Sequence, residues 1–215
     1  YTMFGGTSAS APEVSAIVAL MLEANPTLGY RDVQAILAHS GRHPDSASWK
    51  VNTGDSHNLG GLSFNDDMGF GIVNAHSAVR LAETWQATNT AHNEAFAGAR
   101  LLDIAEVIPD GDQDTGYVAN FTIDSAIEVE HIELSVDIRH DRLGDLELEI
   151  KSPNGTISTL LDRPSVTAEK PFGSFGEYSS LPKHLMFDFS SVQFYGEDGK
   201  GNWEVTIRDV RAEEV

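Results

Sequence analysis

The sequence predicts two units of different class, a helix-and-loop unit followed by an all-β sandwich. Three observations carry this. Apolar residues recur at helical spacing over roughly the first 85 positions and alternate with polar ones from about residue 100. The stretch between them, Gln86 to Glu94, is polar and reads as a linker. Charge divides at the same place: residues 1–90 hold 4 basic and 8 acidic side chains, residues 91–215 hold 10 and 25. At 215 residues the chain is long enough for one or two domains with a real core.

The first helix is expected from Thr7 to Ala24. Val14, Ile17, Val18, Leu20, Met21 and Leu22 are apolar, small alanines fill much of the rest, and only Glu13 and Glu23 are charged. A helix apolar on nearly all sides is expected to be buried. Asn25-Pro26 ends it, because the residue before proline avoids helical angles. A second helix starts near Tyr30 with Val33, Ile36 and Leu37 on one face, and Thr27 is the expected cap. Residues 41–70 read as irregular loop, rich in Gly, Ser, Asn and Asp. A third helix follows from Ala75 to Thr84 with Ala78, Val79 and Leu81 as its apolar set.

Strands follow from a period of two. Ile132, Leu134, Val136 and Ile138 alternate with polar residues, as do Leu146, Leu148 and Ile150, and Trp203, Val205 and Ile207. Pro153-Asn154-Gly155 is a turn between two of them. Short strands with turns between them predict an antiparallel sandwich. Its acidic residues fall mostly on outward positions, a solvated sheet face.

Composition excludes several functions. A formal net charge of −19 disfavours nucleic acid and anionic membrane surfaces as partners. The absence of cysteine removes disulfides, thiolate metal sites and cysteine nucleophiles. No run approaches the ~20 apolar residues of a membrane span. The first residue is Tyr1, with no charged leader before the Gly-rich stretch, and reads as a cut edge; the chain is expected to be a fragment.

One stretch can carry chemistry. Gly5-Gly6-Thr7-Ser8-Ala9-Ser10-Ala11-Pro12 sets a serine at the start of a helix after flexible glycines. Free N–H groups and partial positive charge there favour an oxyanion beside the hydroxyl. The plainer reading is an N-cap, with Thr7 or Ser8 accepting a helix N–H.

The string Gly6-Thr7-Ser8-Ala9-Ser10-Ala11-Pro12 closely resembles the nucleophile signature of subtilisin-like serine proteases. Leu22-Glu23-Ala24-Asn25-Pro26 with Tyr30-Arg31-Asp32-Val33-Gln34 resembles the kexin and proprotein-convertase branch. So does Met68-Gly69-Phe70-Gly71-Ile72-Val73-Asn74-Ala75, which departs at Met68 for an aromatic and Asn74 for Asp. Arg142-Leu143-Gly144-Asp145-Leu146-Glu147, Ser152-Pro153-Asn154-Gly155-Thr156 and Gly201-Asn202-Trp203-Glu204-Val205 are similar to the P domain (homo B) of that branch. The resemblance implies the C-terminal part of an α/β subtilisin-like domain over residues 1–86 and a linker at 87–97. A jelly-roll-like β-sandwich over 98–215 follows, its last strand expected to be missing. It implies that Ser8 is the nucleophile of a secreted, periplasmic or cell-surface serine endopeptidase. Its substrates would be proteins or peptides, cut after basic residues, and the P domain would pack on the protease. The interrupted Arg-Leu-Gly-Asp string is read as structural.

In the subtilisin-like order the catalytic Asp and His precede the Ser, so both, with the oxyanion side chain, are expected ahead of Tyr1. His39, His43 and His57 share the unit with Ser8 but do not match the family's base. The isolated chain is therefore expected to be inactive. Asp110, Asp112 and Asp114 have a spacing that can supply oxygens to Ca2+, and the plainer reading is a turn. It is not an EF-hand loop, since Gly116 comes one place late and Phe121 stands at position twelve. No organic cofactor is expected. The alternatives are an acidic β-sandwich binding module, with Phe172, Phe175 and Tyr178 as its densest aromatic set, and a pseudoprotease.

Overall fold

The computed structural model describes residues 5–54, 60–87, 90–98, 107–111, 114, 116–164 and 183–211. The chain forms two compact units, one of residues 1–52 with 60–96, the other of 53–59 with 97–215.

Among the described residues the first unit holds three α-helices, α1 (Thr7–Ala24), α2 (Tyr30–Ser40) and α3 (Ala75–Thr84). Their core is Met21, Leu28, Ile36, Ala78 and Ala82, with Ile17, Val33, Leu37, Val79 and Trp85 against it. Val14, Ile17, Val18 and Met21 are the inward stripe of α1, at the i, i+3, i+4, i+7 spacing of one helix face. The rest of α1 is not buried as its composition predicts. Met21 is its one fully buried residue, while Leu20 is 49% exposed and Leu22 39%. Within this unit α1 is covered on one side, so its other apolar positions face out.

The cap of α2 also differs from expectation. Gly29 is the N-cap, and Thr27 instead bonds Asn25 Oδ1 through its N–H (3.1 Å) and its hydroxyl (2.6 Å). Asp32, in the first turn of α2, accepts the Gly29 N–H at 2.7 Å and satisfies it from inside the helix. Asn74 caps α3, its side chain accepting the Ser77 N–H at 3.2 Å. Asn and Asp cap about equally well, so Asn74 in place of Asp is chemically mild. The loop region carries a short hairpin that its composition hides, β1 (Lys50–Val51) paired with β2 (Ser63–Phe64).

The second unit is a β-sandwich. Its strands are β3 (Tyr117–Ile123), β4 (Ile132–Arg139), β5 (Leu146–Lys151), β6 (Ile157–Asp162), β7 (His184–Ser191) and β8 (Gly201–Asp209). One sheet has the order β3-β8-β5-β6, the other pairs β4 with β7, and every pairing is antiparallel. The inward residues of β5 and β8, Leu148, Ile150, Trp203 and Val205, form the core with Ala119, Ile123, Val129 and Phe194. Ile132, Leu134, Val136 and Phe189 of the second sheet pack onto it. Alternation therefore put the right faces inside. Trp203 stacks edge-on with Phe194 at 5.2 Å and gives its indole N–H to Gly199 O at 2.9 Å. The Ser158 and Ser191 hydroxyls, 2.8 Å apart and buried, join β6 to β7.

Among the described residues of this unit three acidic side chains break the outward pattern. Asp145, Glu197 and Asp209 are buried. Asp145 ends the short 3-10 turn Leu143–Asp145 that leads into β5. At 1% exposure its carboxylate offers nothing to an outside receptor, in keeping with a structural Arg-Leu-Gly-Asp string.

Candidate catalytic serine

Ser8 is the second residue of α1 and is exposed. The helix is capped by Gly6, at φ 88° and ψ −178°, with no side-chain cap bond. That backbone conformation is essentially confined to glycine. Gly6 O accepts the N–H groups of Ala9 (2.9 Å) and Ser10 (3.3 Å), and the Ser10 hydroxyl points back to it at 3.4 Å. Neither Thr7 nor Ser8 caps the helix. Among the described residues the Ser8 hydroxyl has no hydrogen-bond partner, so no structural duty accounts for it.

Electrostatics at this end favour an anion. The first turn of α1 carries no acidic residue. No carboxylate there offsets the positive end of its dipole. The Ser8 N–H is among the first four of the helix, which have no carbonyl within it to bond.

Two of the histidines singled out in the sequence, His39 and His43, are engaged elsewhere. His39 lies against Trp85 at 6.2 Å between ring centroids. His43 packs edge-on to Trp49 at 4.5 Å, with Nε2 3.1 Å from Phe70 O. His57 lies outside the described residues, as do Asp112, Phe172, Phe175 and Tyr178. Among the described residues no group of three His, Asp or Glu side chains is placed to hold a metal ion, and no helix is long and apolar enough to cross a membrane.

A second polar cluster lies at one end of the sandwich. His140 accepts the Arg142 N–H at Nδ1 (3.1 Å) and directs Nε2 to Asp209 Oδ2 (3.2 Å). Asp209 Oδ1 accepts the Arg211 N–H at 3.2 Å, and the Arg211 guanidinium lies 3.5 Å from Asp145. Burial pushes the Asp209 carboxyl above the ordinary aspartate range; Asp110 and Asp145 push the same way, while the Arg211 N–H and His140 oppose them. No nucleophile belongs to this cluster, and it locks the end of β8 to the turn before β5. Alternation places Asp209 on the face of Trp203, Val205 and Ile207, but it does not reveal the partners His140, Asp145 and Arg211, which come from outside strand β8.

The comparisons with known proteins agree on both units. Residues 1–71 match the subtilase family and residues 129–215 the proprotein convertase P-domain. Among curated relatives, a proprotein convertase subtilisin/kexin type 6 of Rattus norvegicus is 32% identical over 95% of this chain and 20% of its own length. A PC3-like endoprotease variant B of Hydra vulgaris is 34% identical over 96% of this chain and 27% of its own. Endoprotease aex-5 of Caenorhabditis elegans is 32% identical over 94% and 32%. This chain thus spans about a third or less of these relatives. A crystal structure of the serine protease of Aeromonas sobria aligns over 97% of this chain and 38% of that one, with TM-score 0.73 and 25% identity.

Proposed function

The chain belongs to the kexin/proprotein-convertase branch of the subtilases, and from this we propose that its parent protein is a serine endopeptidase with Ser8 as nucleophile. The observation that carries the reading is an exposed Ser8 on the second position of a glycine-capped helix, free of any capping bond. In the proposed reaction Ser8 Oγ attacks the carbonyl carbon of the scissile peptide bond. A histidine takes the hydroxyl proton and returns it to the departing amine, leaving an ester on Ser8. Water then cleaves the ester and frees the serine. The Ser8 N–H, at the helix terminus, donates to the oxyanion.

The histidine and its aspartate come from elsewhere in the parent. In the subtilase order both precede the serine, and only seven residues precede Ser8 here. These 215 residues alone therefore do not turn over substrate. Substrates are proteins or peptides cut after basic residues, in a compartment outside the cytoplasm; the family resemblance supports both. The test is Ser8→Ala in the full-length parent. Loss of peptide hydrolysis, with the second unit still folded, is the expected outcome, and near-normal hydrolysis would remove Ser8 from this role.

A further inference from the structure

We propose that Glu197 is a buckle that holds Thr53 and Gly54 within the second unit, and that it does so as a hydrogen-bond acceptor rather than as a charge. Residues 53–59 lie in sequence between the paired strands β1 and β2, yet they belong to the second unit. The excursion is pinned at its ends by Asn52 and Leu62. The Asn52 N–H meets Leu62 O at 3.0 Å, and the Leu62 N–H meets Asn52 Oδ1 at 2.8 Å. The first two residues of the excursion, Thr53 and Gly54, meet Glu197 and Tyr195.

Glu197 is 0% exposed. Its backbone is fixed on both sides, the N–H to Phe194 O (3.0 Å) and the carbonyl to the Val129 N–H (2.9 Å). Oε1 accepts from the Thr156 hydroxyl and from the Thr53 N–H, the latter at 3.1 Å. Thr156 is itself set by the β5–β6 turn, where its N–H meets Ser152 Oγ at 3.2 Å and its carbonyl accepts the Ser152 N–H at 2.9 Å. Three segments far apart in sequence therefore converge on one oxygen. Gly54 completes the fit: a Cβ there would stand 2.1 Å from Tyr195 O and 3.0 Å from Glu197 N.

The other carboxylate oxygen separates acceptance from charge. Oε2 is buried without a hydrogen-bond partner, and no cation pairs with Glu197 among the described residues. A buried charge with neither cation nor full hydrogen bonding is costly. What Glu197 supplies is the acceptor Oε1, which a neutral amide also has.

The experiment is residue-resolved amide hydrogen exchange on the full chain, read at Thr53 with the β3, β5 and β8 amides as internal reference. Thr53 should be protected in the wild type. Glu197→Ala should speed its exchange about tenfold or more while the strand amides hold, and Glu197→Gln should keep Thr53 protected. Gly54→Ala leaves Glu197 intact and should release Thr53 as Glu197→Ala does; it carries the test if Glu197→Ala does not fold. Three results would overturn the proposal: a Thr53 amide unprotected in the wild type, protection unchanged in both Glu197→Ala and Gly54→Ala, or Glu197→Gln as damaging as Glu197→Ala. The last would mean that charge makes the tie.

Discussion

Asp32 and Trp85 are joined across 53 positions by one hydrogen bond, the Trp85 indole N–H to Asp32 Oδ1 at 3.0 Å. The same buried carboxylate holds the Gly29 N–H on its other oxygen. The start of α2 is thereby tied to the end of α3. Asn25 reinforces the junction, giving its side-chain N–H groups to Ala82 O (3.0 Å) and Trp85 O (3.2 Å). Arg31 is paired outside with Glu94 at 3.2 Å. The Tyr30-Arg31-Asp32 and Asn25-Pro26 strings thus carry packing rather than chemistry.

Asp32→Ala should therefore destabilise the first unit by about 1–3 kcal/mol, since it removes two part-buried hydrogen bonds. Trp85→Phe removes one of those bonds. The double variant should cost less than the sum of the singles by about 1 kcal/mol, as expected for groups in contact. Urea unfolding followed by far-UV circular dichroism measures this, and strict additivity would mean that the bond contributes nothing.

Because Gly6 and not Ser8 caps α1, Ser8→Ala should change stability by no more than about 0.5 kcal/mol. Gly6→Ala forces a side chain into a glycine-only conformation and should cost about 1–3 kcal/mol. Thermal unfolding of both variants decides. A loss of about 1 kcal/mol on Ser8→Ala, the size of a removed cap, would restore the capping reading.

Trp203 fills the centre of the sandwich between Phe194 and Phe121. Trp203→Ala should cost about 3–5 kcal/mol, while Glu204→Gln on the opposite face of the same strand should stay within about 0.5 kcal/mol. Comparable losses in denaturant unfolding would contradict the assignment of inner and outer faces.

Asp209 gives the sandwich an unusual pH response. Its folded carboxyl titrates above the unfolded value because burial disfavours its charge. Its contribution is thus full below the unfolded pKa and lost as pH rises through the folded one, opposite to an ion-paired aspartate. A carboxyl 13C titration should put the Asp209 midpoint above the ~3.9 of model peptides. A midpoint at or below that value would contradict the burial argument.

Helix bounds and strand faces were legible because each rests on local pattern: spacing for α1 to α3, alternation for β4, β5 and β8; the proposal of Ser8 likewise starts from a contiguous string. The illegible features are those set by distant partners. The β1–β2 hairpin has only two residues a side, too few for periodicity to register. Thr27 has the chemistry of a cap, but Asn25 claims its hydroxyl and Asp32 supplies what the helix needs. The exposure of Leu20 and Leu22 depends on what packs against α1, which composition does not specify. Glu197 reads as one more surface acid in an acid-rich unit until Thr53, Thr156 and Tyr195 surround it.

The most direct test of the account is to treat the full-length parent with a fluorophosphonate, which reacts only with an activated serine, and to map the adduct by peptide mass spectrometry. A single adduct on Ser8, absent from Ser8→Ala and absent when these 215 residues are treated alone, is the predicted result. An adduct on another serine, or none on Ser8 in a parent that still cleaves peptides, would contradict it.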